Sequence, residues 1–440
     1  MLKRFTVENF LSFQKEIILD LTAGTTKVNS EHLVDFGKAR ILKSAVMYGA
    51  NASGKSNMVK AIEYGKEIIL KGLDNVETYK KHFRLDNNSS KKPTIFEFEL
   101  EFNGKFFSYG FSSILNTKQV FEEWLYEIRE DTSEKIFARE NNTISLGNLL
   151  IEEKIRDRFE IYKSDMKNQD SQLFLSEIAI KNLDINEVKL INIIYNWFDE
   201  KLLILYPDTQ FGGKSLINQN KNLSKLFKKY LNEFDTGIIS INSIEEDFDK
   251  SLKDIPKKVK KNMEKSLKPQ GAILIKTSNG ILTVCKNNTG ELKVQKLGLI
   301  HSKVIEEVFE LEEESDGTIR LFDLIPLIDK FSQDNAIIID EFDRSLHPKL
   351  TQKFFELFYK SNNSKAQLIV TTHESTLLDL NLMRRDEIWF VEKDKNGGSK
   401  IFSLNQFKSI YDSKLEKAYL LGRYGALPVF KFFDEINGDN

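Results

Sequence analysis

Two apolar runs, separated by most of the chain, constrain this sequence more than any other feature. The first lies in ILKSAVMYGA, ends at Met47 and Tyr48, and passes directly into GANASGKS, Gly49–Ser56. The residues that follow, SNMVKAIEYGKEIIL, carry Met58, Ile62 and Ile68 at helical spacing. Strand, glycine-rich loop and helix are the context a phosphate-binding loop requires. Its glycines let backbone N–H groups turn onto phosphate oxygens, and the helix N-terminus adds partial positive charge. Lys55 is expected to reach the β- and γ-phosphates and the Ser56 hydroxyl to hold Mg²⁺. Gly49, Asn51, Ser53, Gly54, Lys55, Ser56 and Asn57 are the expected cradle. A second Gly-Lys-Ser, in FGGKS at Phe211–Ser215, has Asp208 where the pattern needs glycine and follows Pro207, so it reads as a loop.

The second run opens NAIIIDEFDRSLHP, Asn335–Pro348. Ala336 to Ile339 are continuously apolar, as a parallel strand covered on both faces should be. The run ends in Asp340 and Glu341, at the end of the strand where ligands bind in open α/β sheets. Asp340 is placed to bind Mg²⁺ and Glu341 to polarise an attacking water. A third run, Leu368 to Val370 in QLIVTTHES, ends close to His373, which is placed to sense a γ-phosphate.

A strand ending in Asp-Glu, a loop containing Asp343, then a strand ending in histidine resembles the ATP-binding-cassette type of ATPase. That resemblance implies ATP and Mg²⁺ as ligands and a signature helix shortly before the Asp-Glu strand. EEESDGTIRLFDLIPLID, Glu312–Asp329, stands in that slot, with Ser315, Asp316 and Gly317 opening a helix that carries Ile319, Leu321, Leu324 and Ile325. It departs from Leu-Ser-Gly-Gly-Gln at Glu314, Asp316 and Thr318. Read by its residues alone, ESDG is equally a helix cap. In the family, Ser315 and Gly317 would complete a site on another copy, and Asp343 would lie at the seam between two heads. The opening LKRFTVENFLSFQKEIILDL resembles RecF, SMC-type and OLD-type ATPases, in which residues near Asn9–Ser12 lie close to the base. EEWLYEIRE, DEFDRSLHP and AYLLGRYGALP resemble bacterial ABC-type ATPases of abortive-infection and phage-defence operons, the AbiL/RloA-like group.

The expected fold is α/β, a P-loop NTPase of ABC-ATPase head type with an antiparallel β subdomain and a helical insertion. Residues 1–92 would form an N-terminal ATPase lobe, 93–148 the β subdomain, 149–300 a mainly helical insertion with short strands, and 301–440 a C-terminal lobe. TIFEFELEF, KFFSYGFSS, QVFEEWLYEIRE and EKIFARE read as strands, with Asn103-Gly104 a hairpin turn. Helices are expected near 149–165, 172–200, 218–234 and 246–267, and three strands within 271–298. No internal repeat or long heptad run is present, so extended coiled-coil arms are not expected.

Composition narrows the function. The 440 residues are 30% charged and 40% hydrophobic, with a net charge of −2. That suits a globular protein, and nucleic-acid contact would need a local patch. The one marked basic run, Lys253, Lys257, Lys258, Lys260, Lys261, Lys265 and Lys268, spreads around a helix instead of forming a stripe, and reads mainly as a solvated face. A single cysteine, Cys285, and the lack of a signal-like or membrane-length apolar run lead to the expectation of a cytoplasmic chain with no membrane partner. Glu392 and Asp394 lack a following Asp-x-Asp, so no intrinsic nuclease is expected. The expected function is an ATPase that pairs through shared ATP sites, as a homodimer or higher homo-oligomer. It would regulate a separate effector, for example a nuclease, in anti-phage defence. The alternative is a RecF-like DNA-repair ATPase acting directly on nucleic acid.

Overall fold

The computed structural model describes residues 1–147, 153–166, 169–181, 186–211, 214, 217, 220–253, 255–267, 272–277, 280–286, 289–305, 307–361, 364–407 and 415–426. The beginning of the expected 149–165 helix, Lys268 of the basic run, Gly212, Gly213 and Ser215 of FGGKS, and Leu427 and Pro428 of AYLLGRYGALP lie outside them. The chain divides into two compact units. One comprises 1–207, 331–343 and 351–440, and the other 208–330 and 344–350.

The first unit is built on a six-stranded sheet ordered Leu202–Leu205, Ala336–Ile339, Gln367–Thr371, Ser44–Tyr48, Ile388–Lys393, Ser399–Ser403. The first five strands pair in parallel and the last closes an antiparallel edge hairpin. The three apolar runs of the sequence are thus its central strands, with Ile338 opposite Ile369 and Ile369 opposite Ala45. Ala45 to Tyr48, Ile337 to Ile339 and Leu368 to Val370 are all fully buried. Both faces of the sheet are therefore covered, which explains why these strands are apolar without alternation.

A seven-stranded antiparallel sheet in the same unit runs Thr143–Leu146, Ser133–Glu140, Gln119–Ile128, Lys105–Ile114, Thr94–Phe102, Leu2–Glu8, Ile17–Asp20. Asn103 and Gly104 turn its central hairpin with φ of 52° and 78°, the positive pair a two-residue turn of this hand needs. The helix Lys55–Lys71 presents Met58, Val59, Ile62, Ile68 and Ile69 to a core shared with residues of both sheets. Tyr64 on this helix stacks with Phe10 at 5.0 Å.

Several expectations are corrected here. The expected 172–200 helix is two helices, Phe174–Ile180 and Asn186–Asn196, closed by a π turn at Trp197–Lys201. The LLIL run directly after it, read within the helical region, is the parallel edge strand Leu202–Leu205. Four apolar residues have no period that separates strand from helix, so only pairing with Ala336–Ile339 decides the matter.

In the second unit, Ser240–Asp247 pairs antiparallel with Leu292–Ile300, where a helix was expected from 246. The remainder of that stretch breaks into Phe248–Ser251 and Lys257–Ser266, the latter beginning directly after Pro256. Proline lacks an N–H and disfavours the helical conformation in the residue before it. Strands Ala272–Thr277, Gly280–Lys286 and Leu292–Ile300 match the three expected strands. Helix Lys221–Glu233 is capped by Asn220, whose side-chain oxygen accepts from the Asn222 and Leu223 N–H groups. Its Phe227 stacks at 5.1 Å on Phe322 of the helix Asp316–Lys330. No helix among the described residues is long and apolar enough to cross a membrane.

Candidate nucleotide site

The loop after Tyr48 is shaped by its backbone. Ala52 and Gly54 take φ of 62° and 119°, and the Ser53 N–H donates to the Ala50 carbonyl at 3.1 Å. A Cβ on Gly49 would strike the Val391 carbonyl and come within 2.6 Å of Ser53 Oγ, so this position has room only for glycine. Lys55 Nζ donates to the Gly49 and Ala50 carbonyls at 2.7 and 3.2 Å, folded into the loop. Ser53 Oγ is buried and has no hydrogen-bond partner. Asn51 is exposed at the loop tip, while Ser56 and Asn57 occupy the first turn of the helix, half-buried.

The acidic pair stands two strands away at the same sheet end. Asp340 is 3% exposed, and its Oδ1 accepts a 2.5 Å bond from the Thr371 hydroxyl. That same oxygen of Thr371 accepts the Glu341 N–H at 2.8 Å. Asp343 receives the His373 N–H on both carboxylate oxygens at 3.3 Å. The histidine strand therefore fixes all three carboxylate-bearing residues through Thr371 and the His373 backbone.

Electrostatics shows how closely these groups converge. Burial pushes the Lys55 ammonium down to about 8, against the opposing pull of Asp340, Asp343 and Glu341. Burial also lowers His373, reinforced by the Lys55 charge and opposed by the same three carboxylates. Lys55, Asp340, Glu341, Asp343 and His373 thus act on one another at one end of the sheet. The Tyr206 hydroxyl, just past the edge strand, donates to Glu63 of the loop helix at 2.6 Å.

A nucleotide phosphate fits this set. The loop offers N–H groups at a helix N-terminus, a cation held within it, and an unpaired buried hydroxyl on Ser53. Among the described residues no group of three or more His, Cys, Asp or Glu could hold a metal ion. A divalent cation at this sheet end would accordingly rest on Ser56, Asp340 and phosphate oxygens, the partial shell that suits Mg²⁺.

Ser315 and Gly317 belong to the other unit. Ser315 Oγ accepts the Thr318 N–H at 3.2 Å, capping the helix Asp316–Lys330. A Cβ on Gly317 would lie 2.6 Å from the Ser345 carbonyl, so the turn is packed too closely for a side chain.

Of three further residues around the loop, Thr371 and Ser399 were not singled out from the sequence, and Ser12 only as the end of the Asn9–Ser12 stretch expected near the base. Thr371 could have been found from its place at the strand end two residues before His373. Ser12 and Ser399 reach the loop from remote segments: Asn57 Nδ2 donates to Ser12 Oγ, and Ser399 Oγ bonds the Ser53 carbonyl. Asn9, near the expected base position, instead binds the Ser89, Lys92 and Pro93 carbonyls and accepts the Phe83 N–H.

Solved structures similar to this chain include an SMC head bound to the C-winged helix domain of ScpA, at 12% identity over 91% of this chain and 97% of that chain, with a TM-score of 0.39. The SMC head domain from Thermotoga maritima is similar at 12% identity over 91% and 98%, with a TM-score of 0.37. No curated protein sequence matches. The fold is that of an α/β P-loop NTPase, with the glycine-rich loop between the strand Ser44–Tyr48 and the helix Lys55–Lys71 on a mainly parallel sheet. A family model described as "AAA domain, putative AbiEii toxin, Type IV TA system" matches residues 44–379, and this chain belongs to that family of P-loop ATPases.

Proposed function

We propose that the protein hydrolyses ATP at sites shared between two copies, and that its ATP-driven association regulates a separate effector, such as a nuclease, in anti-phage defence. The observation that carries this reading is the convergence of Lys55, Asp340, Glu341, Asp343 and His373 at one end of adjacent parallel strands. The family's description, with its AbiEii toxin and type IV toxin–antitoxin systems, supports the defence setting.

Each residue then has a role set by its chemistry. The loop amides and Lys55 bind the phosphates, and Lys55 gives up its bonds to the Gly49 and Ala50 carbonyls for phosphate oxygens. Ser56 and Asp340 would hold Mg²⁺, which when bound neutralises charge on the β- and γ-phosphates. Glu341 orients and polarises the attacking water. His373, held by Asp343 through its backbone N–H, faces the γ-phosphate. Ser315 and Gly317 of a second copy cover that phosphate with a helix N-terminus.

Light scattering tests this directly. Association is expected on adding ATP–Mg²⁺, persistent in Glu341→Gln and lost in Lys55→Ala. Single-chain turnover with no effect of nucleotide on mass would overturn the shared site.

A further inference from the structure

Resting on that nucleotide-site reading, we propose that Ser399 and Ser12 form a hydrogen-bonded latch that presets the phosphate loop for ATP, making both of them positioning residues. Ser399, 4% exposed, begins the last strand of the six-stranded sheet. Its N–H donates to the Ser12 carbonyl at 2.7 Å, fixing the Ser12 turn to the sheet edge. Its Oγ lies 2.6 Å from the Ser53 carbonyl and 2.8 Å from Ser12 Oγ, and Asn57 Nδ2 lies 2.8 Å from Ser12 Oγ.

Counting protons gives these contacts a direction. The Ser53 carbonyl can only accept, so the single Ser399 hydroxyl proton goes to it. Ser399 Oγ must then accept across its contact with Ser12, which makes Ser12 the donor. Ser12 Oγ in turn accepts from the Asn57 amide, which has only donors on its nitrogen. The chain runs one way, Asn57 to Ser12 to Ser399 to the Ser53 carbonyl, with each hydroxyl both donating and accepting.

Its two ends bracket the loop, one in the backbone just before Gly54 and the other in the first turn of the loop helix. Gly54 sits between them at φ 119°, and a Cβ there would strike Ser399 Oγ and come within 3.0 Å of Ser12 Oγ. Engaging the Ser53 carbonyl on the Ser399 side fixes the orientation of the Ser53–Gly54 peptide, and with it the direction in which the Gly54 N–H points. Ser399 is itself held by a tight hairpin, in which Asp394 Oδ1 accepts from the Asn396 and Gly398 N–H groups and the Asp394 N–H donates to the Gly398 carbonyl. The loop is therefore pinned from a segment that shares no sequence neighbourhood with it.

A preset loop acts on binding more than on the chemical step. The test measures fluorescent-ATP affinity and steady-state turnover in Ser12→Ala, Ser399→Ala and the double variant, with Ser12→Thr as the conservative control. Each alanine is expected to weaken binding about three- to tenfold, the net effect of one lost hydrogen bond, and to raise KM while kcat changes less. Ser12 reaches the Ser53 carbonyl only through Ser399, so the double variant should bind about as weakly as Ser399→Ala alone. Ser12→Thr, which keeps the hydroxyl, should bind as wild type. Additive losses, unchanged affinity in Ser399→Ala, or a fall in kcat alone would overturn the latch. Wild-type protein that binds no ATP would sink the nucleotide reading and the latch together. Wild-type binding with unaltered alanine variants would sink the latch alone.

Discussion

Glu341 holds a left-handed backbone, with φ of 46°, at the residue proposed to polarise water. For a side chain of this size such a conformation costs about 1–3 kcal/mol and persists only where the surroundings impose it. Thr371 supplies that constraint, since its hydroxyl oxygen accepts the Glu341 N–H and its carbonyl accepts the Phe342 N–H at 2.9 Å. Phe342 is anchored in turn against Phe354 and Phe355, at 5.1 and 5.7 Å. The charges around Glu341 are as constrained as its backbone. His373 is lowered from its ordinary 6.5 by burial first and by the Lys55 cation second. The folded state therefore binds fewer protons here than the unfolded chain. The contribution of this histidine to stability is present above 6.5 and is lost as pH falls below it. Removing the cation in Lys55→Met should raise the His373 pKa, read by NMR titration of the imidazole carbons. An unchanged midpoint would show that the two groups do not share the site.

Among the elements, the loop helix depends on a close approach to the antiparallel sheet. Gly65 lies on its buried side, where a Cβ would meet the Phe98 ring at 3.0 Å. Phe98 is itself wedged against Phe5 at 4.9 Å and Phe198 at 4.8 Å, so it has little room to yield. Gly65→Val should cost about 1–3 kcal/mol by overpacking, measured as a lower urea midpoint. An unchanged midpoint would mean that helix and sheet can separate freely. Elements of this kind differed in how far the sequence revealed them. The strands around Asn103-Gly104 were legible because alternation and turn chemistry agree over a long stretch. The loop, the acidic strand and the histidine strand were legible because full burial writes itself as an uninterrupted apolar run. Leu202–Leu205 was not, being a short run at the end of a helix, and neither was Ser240–Asp247, whose strand pairing lies some fifty residues away in Leu292–Ile300. Ser399 and its pairing with Ser12 were hidden for a related reason. Two serines almost four hundred residues apart carry no local pattern, and only the fold places them at 2.8 Å.

At the scale of the molecule, the proposed machinery is divided between the two units. Lys55, Asp340, Glu341, Asp343 and His373 belong to one, and Ser315 and Gly317 to the other. The shared-site reading gives this division a consequence that mixing experiments can measure. Ser315→Asp keeps a good helix cap, because aspartate serves the N-cap as well as serine, but sets a negative charge where the phosphate of a second copy would dock. It should retain ATP binding and lose association and turnover, whereas Lys55→Ala should lose ATP binding itself. A mixed pair has one intact site, made of the loop from the Ser315→Asp chain and the signature turn from the Lys55→Ala chain. Because neither variant pairs with itself, the pairs that form in an equal mixture are mixed and each keeps one of two sites, so turnover should recover to at most about half of wild type. Recovery requires that the two motifs act across copies, since neither chain carries a complete set of its own. If the mixture is no more active than its components, Ser315 does not complete a site in trans, and its hydroxyl serves only to cap the helix Asp316–Lys330.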